Sequence, residues 1–229
     1  MVYWLDRTDI TQFPDPSFAN SDGLLAVGGN LSPTTIIAAY QQGVFPWFTR
    51  YHYIHWFSPD PRMVLFPNDL KISKSMRPYF NQQKFRVTFD TDFAAVIAAC
   101  ATQKRPEQQG TWLNKTFQKA YLQLHHEGYA HSVEVWQDAT LVGGLYGVAL
   151  GKCFFGESMF ARVSNASKFG FISLVQYLTQ KNYWLIDCQV TTDHLESMGA
   201  VNIDRELYLR LLYKNQQETT ETDKWTNGQ

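Results

Sequence analysis

Residues 151 to 190 read GKCFFGESMFARVSNASKFGFISLVQYLTQKNYWLIDCQV, and this stretch decides the fold. Lys152 to Phe160 is apolar and rich in aromatic rings, which gives it strand character. Arg162-Val163-Ser164-Asn165 is a polar break whose side chains offer helix caps. Ala166 to Lys181 then places Phe169, Ile172, Leu174, Val175 and Leu178 on one broad stripe, which predicts a helix. Tyr183 to Val190 is a second short apolar run. Strand, loop, helix and strand with a crossover of this length predict two parallel neighbours in one sheet.

The last run carries an acid and an amide in otherwise apolar company. Asp187 and Gln189 are two positions apart, so on a regular strand they leave the same face, while Cys188 points the other way into packing. A buried carboxylate costs free energy unless it is paired or hydrogen-bonded. Glu157 sits in the preceding strand and neighbours that face if the two strands pair. Spacing alone leaves two readings equally open, a satisfied strand-end network that positions loops or a site.

At 229 residues the chain is long enough for one large domain or two small ones. With 45% hydrophobic and 18% charged residues it is a globular composition, and disorder is excluded. A net charge of −1 excludes a polyelectrolyte binder, so any nucleic-acid contact must come from a local patch. Lys71, Lys74, Arg77, Lys84 and Arg86 supply such a patch, with no acid between Asp69 and Asp90. It reads either as a solvated face or as a phosphate-tracking surface. The odd cysteine count (Cys100, Cys153, Cys188) argues against a disulfide framework and suits the reducing cytosol. No CxxC or HxxxH spacing marks a metal site. Asp6, Arg7 and Asp9 stand where a signal peptide would be apolar, and no apolar run is long enough to span a bilayer.

Residues 1 to 31 are dominated by turn formers, and Ser32-Pro33 opens a helix that stops at Gly43. The Gly28-Gly29 pair before that helix is an ordinary turn or, less specifically, a phosphate cradle. Residues 44 to 48 and 55 to 62 are aromatic-Pro segments, expected to form an irregular wall because proline suits no sheet interior. From Phe85 onward the pattern predicts strand, two helices, three strands in a meander, the crossover helix, a strand, and two more helices. The glycines of Leu141 to Leu150 permit bulging or close backbone approach. The polar end, from about Asn215, is expected to fray.

That order resembles the GNAT acyltransferases. Their pyrophosphate-binding loop, Q/R-x-x-G-x-G/A, is replaced here by Arg162-Val163-Ser164-Asn165-Ala166-Ser167, which weakens a CoA-dependent reading. Seven motifs point to one family instead: Gly23-Leu24-Leu25-Ala26-Val27-Gly28-Gly29, Gly43-Val44-Phe45-Pro46-Trp47-Phe48, Trp56-Phe57-Ser58-Pro59-Asp60-Pro61-Arg62, Gly110-Thr111-Trp112, His131-Ser132-Val133-Glu134, Gly156-Glu157-Ser158-Met159-Phe160 and Asp187-Cys188-Gln189-Val190. In this order they resemble the leucyl/phenylalanyl-tRNA–protein transferases. The resemblance implies an α+β protein, with a small N-terminal domain over residues 1–61. A GNAT-like catalytic domain, a mixed sheet with helices on both faces, would follow over residues 62–229.

It also implies the reaction. Leu or Phe, and Met less well, would move from aminoacyl-tRNA to the N-terminal Arg or Lys of a protein and mark it for degradation in the bacterial cytoplasm. No cofactor and no metal are implied, because the ester is already activated. Asp187, Gln189 and Glu157 are the implied catalytic residues, in that order. Leu145, Phe154, Met159, Leu174 and Ile186 stand where the family lines its side-chain pocket, with plain core as the alternative. Trp47 and Trp112 are candidates for stacking the terminal adenine of tRNA, and the five cations from Lys71 to Arg86 for its phosphates.

Overall fold

A computed structural model describes residues 2–103 and 113–226. Trp112 therefore lies outside the described residues. The N-terminal part is a four-stranded sheet covered by one helix. Its elements are β1 (Tyr3–Leu5), β2 (Leu24–Gly28), α1 (Pro33–Gln41), β3 (Phe45–Arg50) and β4 (Tyr53–Phe57), and the strand order is β1-β2-β4-β3. Ser32 caps α1 by accepting from the Thr35 amide, Pro33 occupies the first turn, and Gly43 ends it at φ 78°. The Gly28-Gly29 turn is closed by protein groups. Gly29 N donates to the Leu5 carbonyl, and the Trp56 indole N–H donates to the Gly28 carbonyl.

One expectation fails here. The aromatic-Pro segments form β3 and β4 and not an irregular wall, while the turn-rich N-terminus also holds β1 and β2. Pro46 is tolerated because β3 is an edge strand whose pairing shifts register between Pro46 and Phe48. An edge with a bulge asks nothing of a missing N–H. β4 is central, but its prolines, Pro59 and Pro61, fall just after it.

A second, seven-stranded sheet starts at Arg62. Its elements are β5 (Arg62–Leu65), α2 (Arg77–Asn81), β6 (Arg86–Phe89), α3 (Phe93–Thr102), α4 (Lys115–His126), β7 (Ala130–Gln137), β8 (Thr140–Leu150), β9 (Cys153–Ala161), α5 (Ala166–Gln180), β10 (Leu185–Gln189), α6 (Asp193–Glu196), β11 (Val201–Ile203) and α7 (Arg205–Asn215). The order is β11-β5-β10-β9-β8-β7-β6. β9 and β10 are parallel, as the crossover helix requires, and the other pairs are antiparallel. The α+β, GNAT-like arrangement expected from sequence is present, with α5 on one face of the sheet and α3 and α4 on the other. Val133, Leu145, Phe154 and Leu174 share the α5 side. Val96, Phe117, Tyr146 and Phe155 share the other, where they meet Ile36 and Tyr40 of α1.

Two local irregularities open the site. β9 and β10 pair only as far as Phe155 and Asp187, although β9 runs on to Ala161. Beyond that point the strands part. β10 also shifts register against β5 between Asp187 and Gln189, with Gln189 at φ 64°. A bulge breaks simple alternation. Cys188 packs against the buried cluster as expected and also lines the resulting cavity.

Asn165 precedes α5 in the left-handed region at φ 66°, and its side-chain amide donates to the Tyr79 hydroxyl, so it does not cap the helix. As far as Trp225 the C-terminal segment is held in place and not frayed. Gly151 N donates to Thr220 Oγ1, Lys152 pairs with Glu221 at 2.8 Å, and the Trp225 ring is buried. A buried indole holds polar chain that composition alone would leave loose. Among the described residues no helix is long and apolar enough to cross a membrane.

Candidate active site

The parting of β9 and β10 leaves a cavity of about 940 Å³. Its apolar wall is built from Leu145, Phe154, Met159, Phe171 and Ile186, and its polar wall from Glu157, Asp187 and Gln189. This is the size and character of a small-molecule site, mostly apolar with a few convergent polar groups.

Glu157 is where four elements meet. Tyr40 from α1 donates to its Oε1 at 2.6 Å, and Tyr121 from α4 donates to its Oε2 at 2.6 Å. Gln189 Nε2, from β10, donates to Oε1 at 2.6 Å. The two tyrosine hydroxyls are 2.8 Å apart. Burial pushes the Glu157 carboxyl up to about 7, and the three hydrogen bonds hold it from going higher. Burial, and then the Glu157 charge, push both phenols well above their usual value, so they remain donors. The result is a carboxyl raised toward neutrality on the wall of a cavity.

Asp187 is differently placed. Its side chain is fully buried, and Arg62 grips it with two hydrogen bonds, Nε to Oδ1 at 2.8 Å and Nη2 to Oδ2 at 2.7 Å. Tyr208 from α7 donates to Oδ2 at 2.8 Å, and the Gln189 backbone N–H donates to Oδ1 at 2.9 Å. The Arg62 guanidinium lies between the Phe45 and Tyr208 rings. Burial is the largest single influence on the Arg62 guanidinium and lowers its pKa, but the Asp187 charge, Tyr208 and their hydrogen bonds together outweigh it and raise it. A bidentate, stacked guanidinium is the geometry that lets an ion pair persist without water. Asp187 thus anchors the bulge that turns the Gln189 side chain toward Glu157.

The structure brings Asp187, Gln189 and Glu157 together, and four of the five expected pocket residues onto one wall. Leu174 is the exception. It is fully buried behind the wall, and Phe171, one helical turn earlier on α5, faces the cavity in its place. Trp47 on β3 lines the cavity beside Pro46, with its ring 5.0 Å from that of Phe57. His194 and Leu195 of α6 also line it, and burial pushes the His194 imidazole below its usual pKa.

Lys71, Lys74, Arg77, Lys84 and Arg86 are all exposed and none lines the cavity. The stretch that carries them approaches the cavity's surroundings at two points. Lys71 N bonds to the Met198 carbonyl just beyond α6, and Phe80 of α2 stacks on Phe169 of α5 at 4.1 Å, next to cavity-lining Ser167. Among the described residues no group of His, Cys, Asp and Glu could hold a metal ion.

Arg62, Tyr40, Tyr121, Tyr208 and Phe171 escaped the sequence reading. Only Arg62 left a signal. A lone cation opening the apolar run Met63-Val64-Leu65 needs a buried acid, as Asp187 needs a cation, and the two orphans answer each other. The tyrosines lie on ordinary apolar helix faces, where nothing separates a ligand from core.

Comparison with known proteins gives a consistent result. The family described as leucyl/phenylalanyl-tRNA protein transferase matches residues 64–213, and the N-terminal domain of that family matches residues 29–60. A leucyl/phenylalanyl-tRNA–protein transferase of Christiangramia forsetii is 56% identical over 203 residues, covering 88% of this chain and 96% of the relative. One from Pseudomonas aeruginosa is 50% identical over 227 residues, covering 97% of this chain and 100% of the relative. Among solved structures, L-PGS from Bacillus licheniformis is similar at 11% identity with a TM-score of 0.42, over 74% of this chain and 54% of that one.

Proposed function

This chain belongs to the leucyl/phenylalanyl-tRNA–protein transferase family, and we propose that the cavity between β9 and β10 is where it joins a charged-tRNA ester to a free protein N-terminus. The enzyme is an aminoacyltransferase that moves Leu or Phe from aminoacyl-tRNA to an N-terminal Arg or Lys, which marks the acceptor for N-end-rule degradation. Met is a poorer donor in this reading. A tRNA-borne substrate puts the reaction in the cytoplasm, where aminoacyl-tRNA is made.

The observation that carries the proposal is the Gln189–Glu157 hydrogen bond on the cavity wall. The attacking α-amino group has an ordinary pKa of about 7.7–8.0, so part of it is neutral at physiological pH. The enzyme's main task is to hold amine and ester together, and orientation can supply about 7–11 kcal/mol of the barrier. Gln189 cannot serve as a base. With its Nε2 on Glu157, its carbonyl accepts an N–H of the amine and aims the lone pair. Asp187 acts through Gln189, fixing its backbone from a closed ion pair.

The chemistry balances without an outside proton. The N–C bond forms, the C–O bond to the terminal ribose breaks, and one amine proton ends on the leaving oxygen. Glu157, titrating near neutrality, holds that proton in transit. Leu145, Phe154, Met159, Phe171 and Ile186 receive the donor side chain. A hydrophobic pocket discriminates one methylene by only about 1–3 kcal/mol, which leaves room for Met. Trp47 on the cavity wall stacks the terminal adenine, and the basic surface from Lys71 to Arg86 meets the acceptor-stem phosphates. Transfer of radiolabelled Phe from Phe-tRNA to an Arg-initiated peptide tests the assignment.

A further inference from the structure

We infer that Trp225, in the C-terminal segment, is a specificity-determining residue that sets the depth of the donor side-chain pocket from behind. The inference rests on the reading of the apolar wall as the pocket for the donor side chain. Trp225 lies beyond residues 64–213, the stretch matched by the family's main domain. Its segment is nonetheless tied down along its length. Asn215 holds the turn between β8 and β9 by bonding Lys152 N and the Leu150 carbonyl, Thr220 accepts from Gly151 N, and Glu221 pairs with Lys152. These ties deliver the indole to the inner face of the sheet, where it is 6% exposed.

The indole then closes a ring of aromatic groups. It stacks on the His131 imidazole at 3.9 Å with 2° between the planes. Asp90 joins the two, accepting from Trp225 N at 2.8 Å and meeting His131 Nδ1 at 2.7 Å. Tyr177, at 5.1 Å, and Tyr183, at 6.2 Å, pack against it from α5 and the turn that follows. Phe89, at 6.4 Å, and Phe154, at 5.8 Å, complete the ring. Phe154 is the cavity-lining residue farthest down β9, and its ring lies over Gly147, where a Cβ would come within 2.5 Å of it. Gly147 stands opposite His131 in the β7–β8 register. Trp225, Phe154, Leu145 and Ile186 are members of one buried cluster with Phe171.

The Phe154 ring is therefore confined between the cavity and Trp225. Interiors are close-packed, and neighbours relax partly into a void that a smaller residue leaves. Shrinking Trp225 lets Phe154 retreat and deepens the pocket. A short donor side chain then no longer reaches the wall, whereas a long aromatic one still does.

The test is Trp225→Leu in the full-length protein, assayed with Leu-tRNA and Phe-tRNA on one Arg-initiated peptide. The ratio of the two kcat/KM values is insensitive to any loss of folded enzyme, because both donors meet the same folded fraction. The expected result is a shift of that ratio toward Phe of about tenfold, carried by KM for Leu-tRNA with kcat for Phe within twofold. Trp225→Phe, which keeps a ring, restores most of the original ratio. A chain ending at Gln216 removes the indole by another route and gives the same shift as Trp225→Leu. A ratio unchanged within twofold in both Trp225→Leu and the shortened chain, with the wild type active, overturns the inference alone. A wild type that transfers neither residue overturns the reading of the site, and the inference with it.

Discussion

Gln189 Nε2 lies 2.6 Å from Glu157 Oε1, and this hydrogen bond orients the amide. Only the nitrogen of an amide can donate to a carboxylate, so the Gln189 carbonyl oxygen is turned away from Glu157. In the proposed mechanism the pair divides two tasks between two groups, aim and proton.

Glu157 makes the rate depend on pH in a separable way. Below neutrality both the acceptor amine and Glu157 are protonated, so log kcat/KM for the wild type climbs with a slope approaching two. In Glu157→Gln only the amine remains, the slope falls to one, and the rate at pH 8 drops about 10²–10⁴-fold. Transfer measured from pH 5.5 to 9 checks this; an unchanged slope removes Glu157 from proton handling.

The same carboxyl links pH to stability. Its folded value of about 7 lies above the ordinary 4.5, so the folded state holds the proton more tightly. The stabilisation is complete below pH 4.5 and is lost as pH rises through 7. Glu157→Gln flattens that fall, and a shift of this size corresponds to about 3 kcal/mol. Denaturant unfolding at pH 4.5 and 8 measures it.

Asp187→Ala abolishes transfer, because the bulge carrying Gln189 loses its anchor. It also strands Arg62 as a buried unpaired cation, which costs about 3–5 kcal/mol of stability. Arg62→Ala strands the carboxylate and costs a similar amount. Single-turnover transfer at a temperature where the variants stay folded separates the two effects, with aminoacyl-tRNA binding largely intact.

Asp187 and Leu174 show what a sequence carries and what it hides. Asp187 stands out because a charge in an apolar strand must be answered, and the same logic applied to Arg62 pairs the two. The crossover of α5 and the meander of β7 to β9 are legible from periodicity alone. Leu174 and Phe171 are not separable, since both are apolar positions on one helix stripe and only packing decides which one faces a void. The strands β3 and β4 are hidden by prolines that sit at an edge or after a strand end, a distinction that depends on pairing partners far along the chain. Trp225 is hidden by its polar surroundings in sequence.

Charge reversal at Lys74 and Arg77 tests the basic surface. Each phosphate left without its cation lowers the slope of log affinity against log salt by roughly one. The double reversal weakens tRNA binding and flattens its salt dependence, while a short aminoacyl-adenosine donor reacts at the wild-type rate. Unchanged tRNA affinity at about 50 mM salt returns the patch to a solvated face.

Pocket filling acts on the donor side chain. Met159→Phe adds volume to the apolar wall beside its cross-strand neighbour Leu145. It lowers kcat/KM for Phe by about tenfold or more and for Leu by less. Equal losses for both donors in a competition assay contradict the assigned lining.

The central claim is that the Gln189 carbonyl aims the acceptor amine at the ester. Transfer of radiolabelled Phe from Phe-tRNA to an Arg-initiated peptide, followed in a single turnover with wild type and with Gln189→Ala, tests it most directly. The wild type forms the Phe-Arg peptide bond, and Gln189→Ala slows that step at least about 100-fold with donor affinity unchanged. Transfer by Gln189→Ala at the wild-type rate would contradict the account.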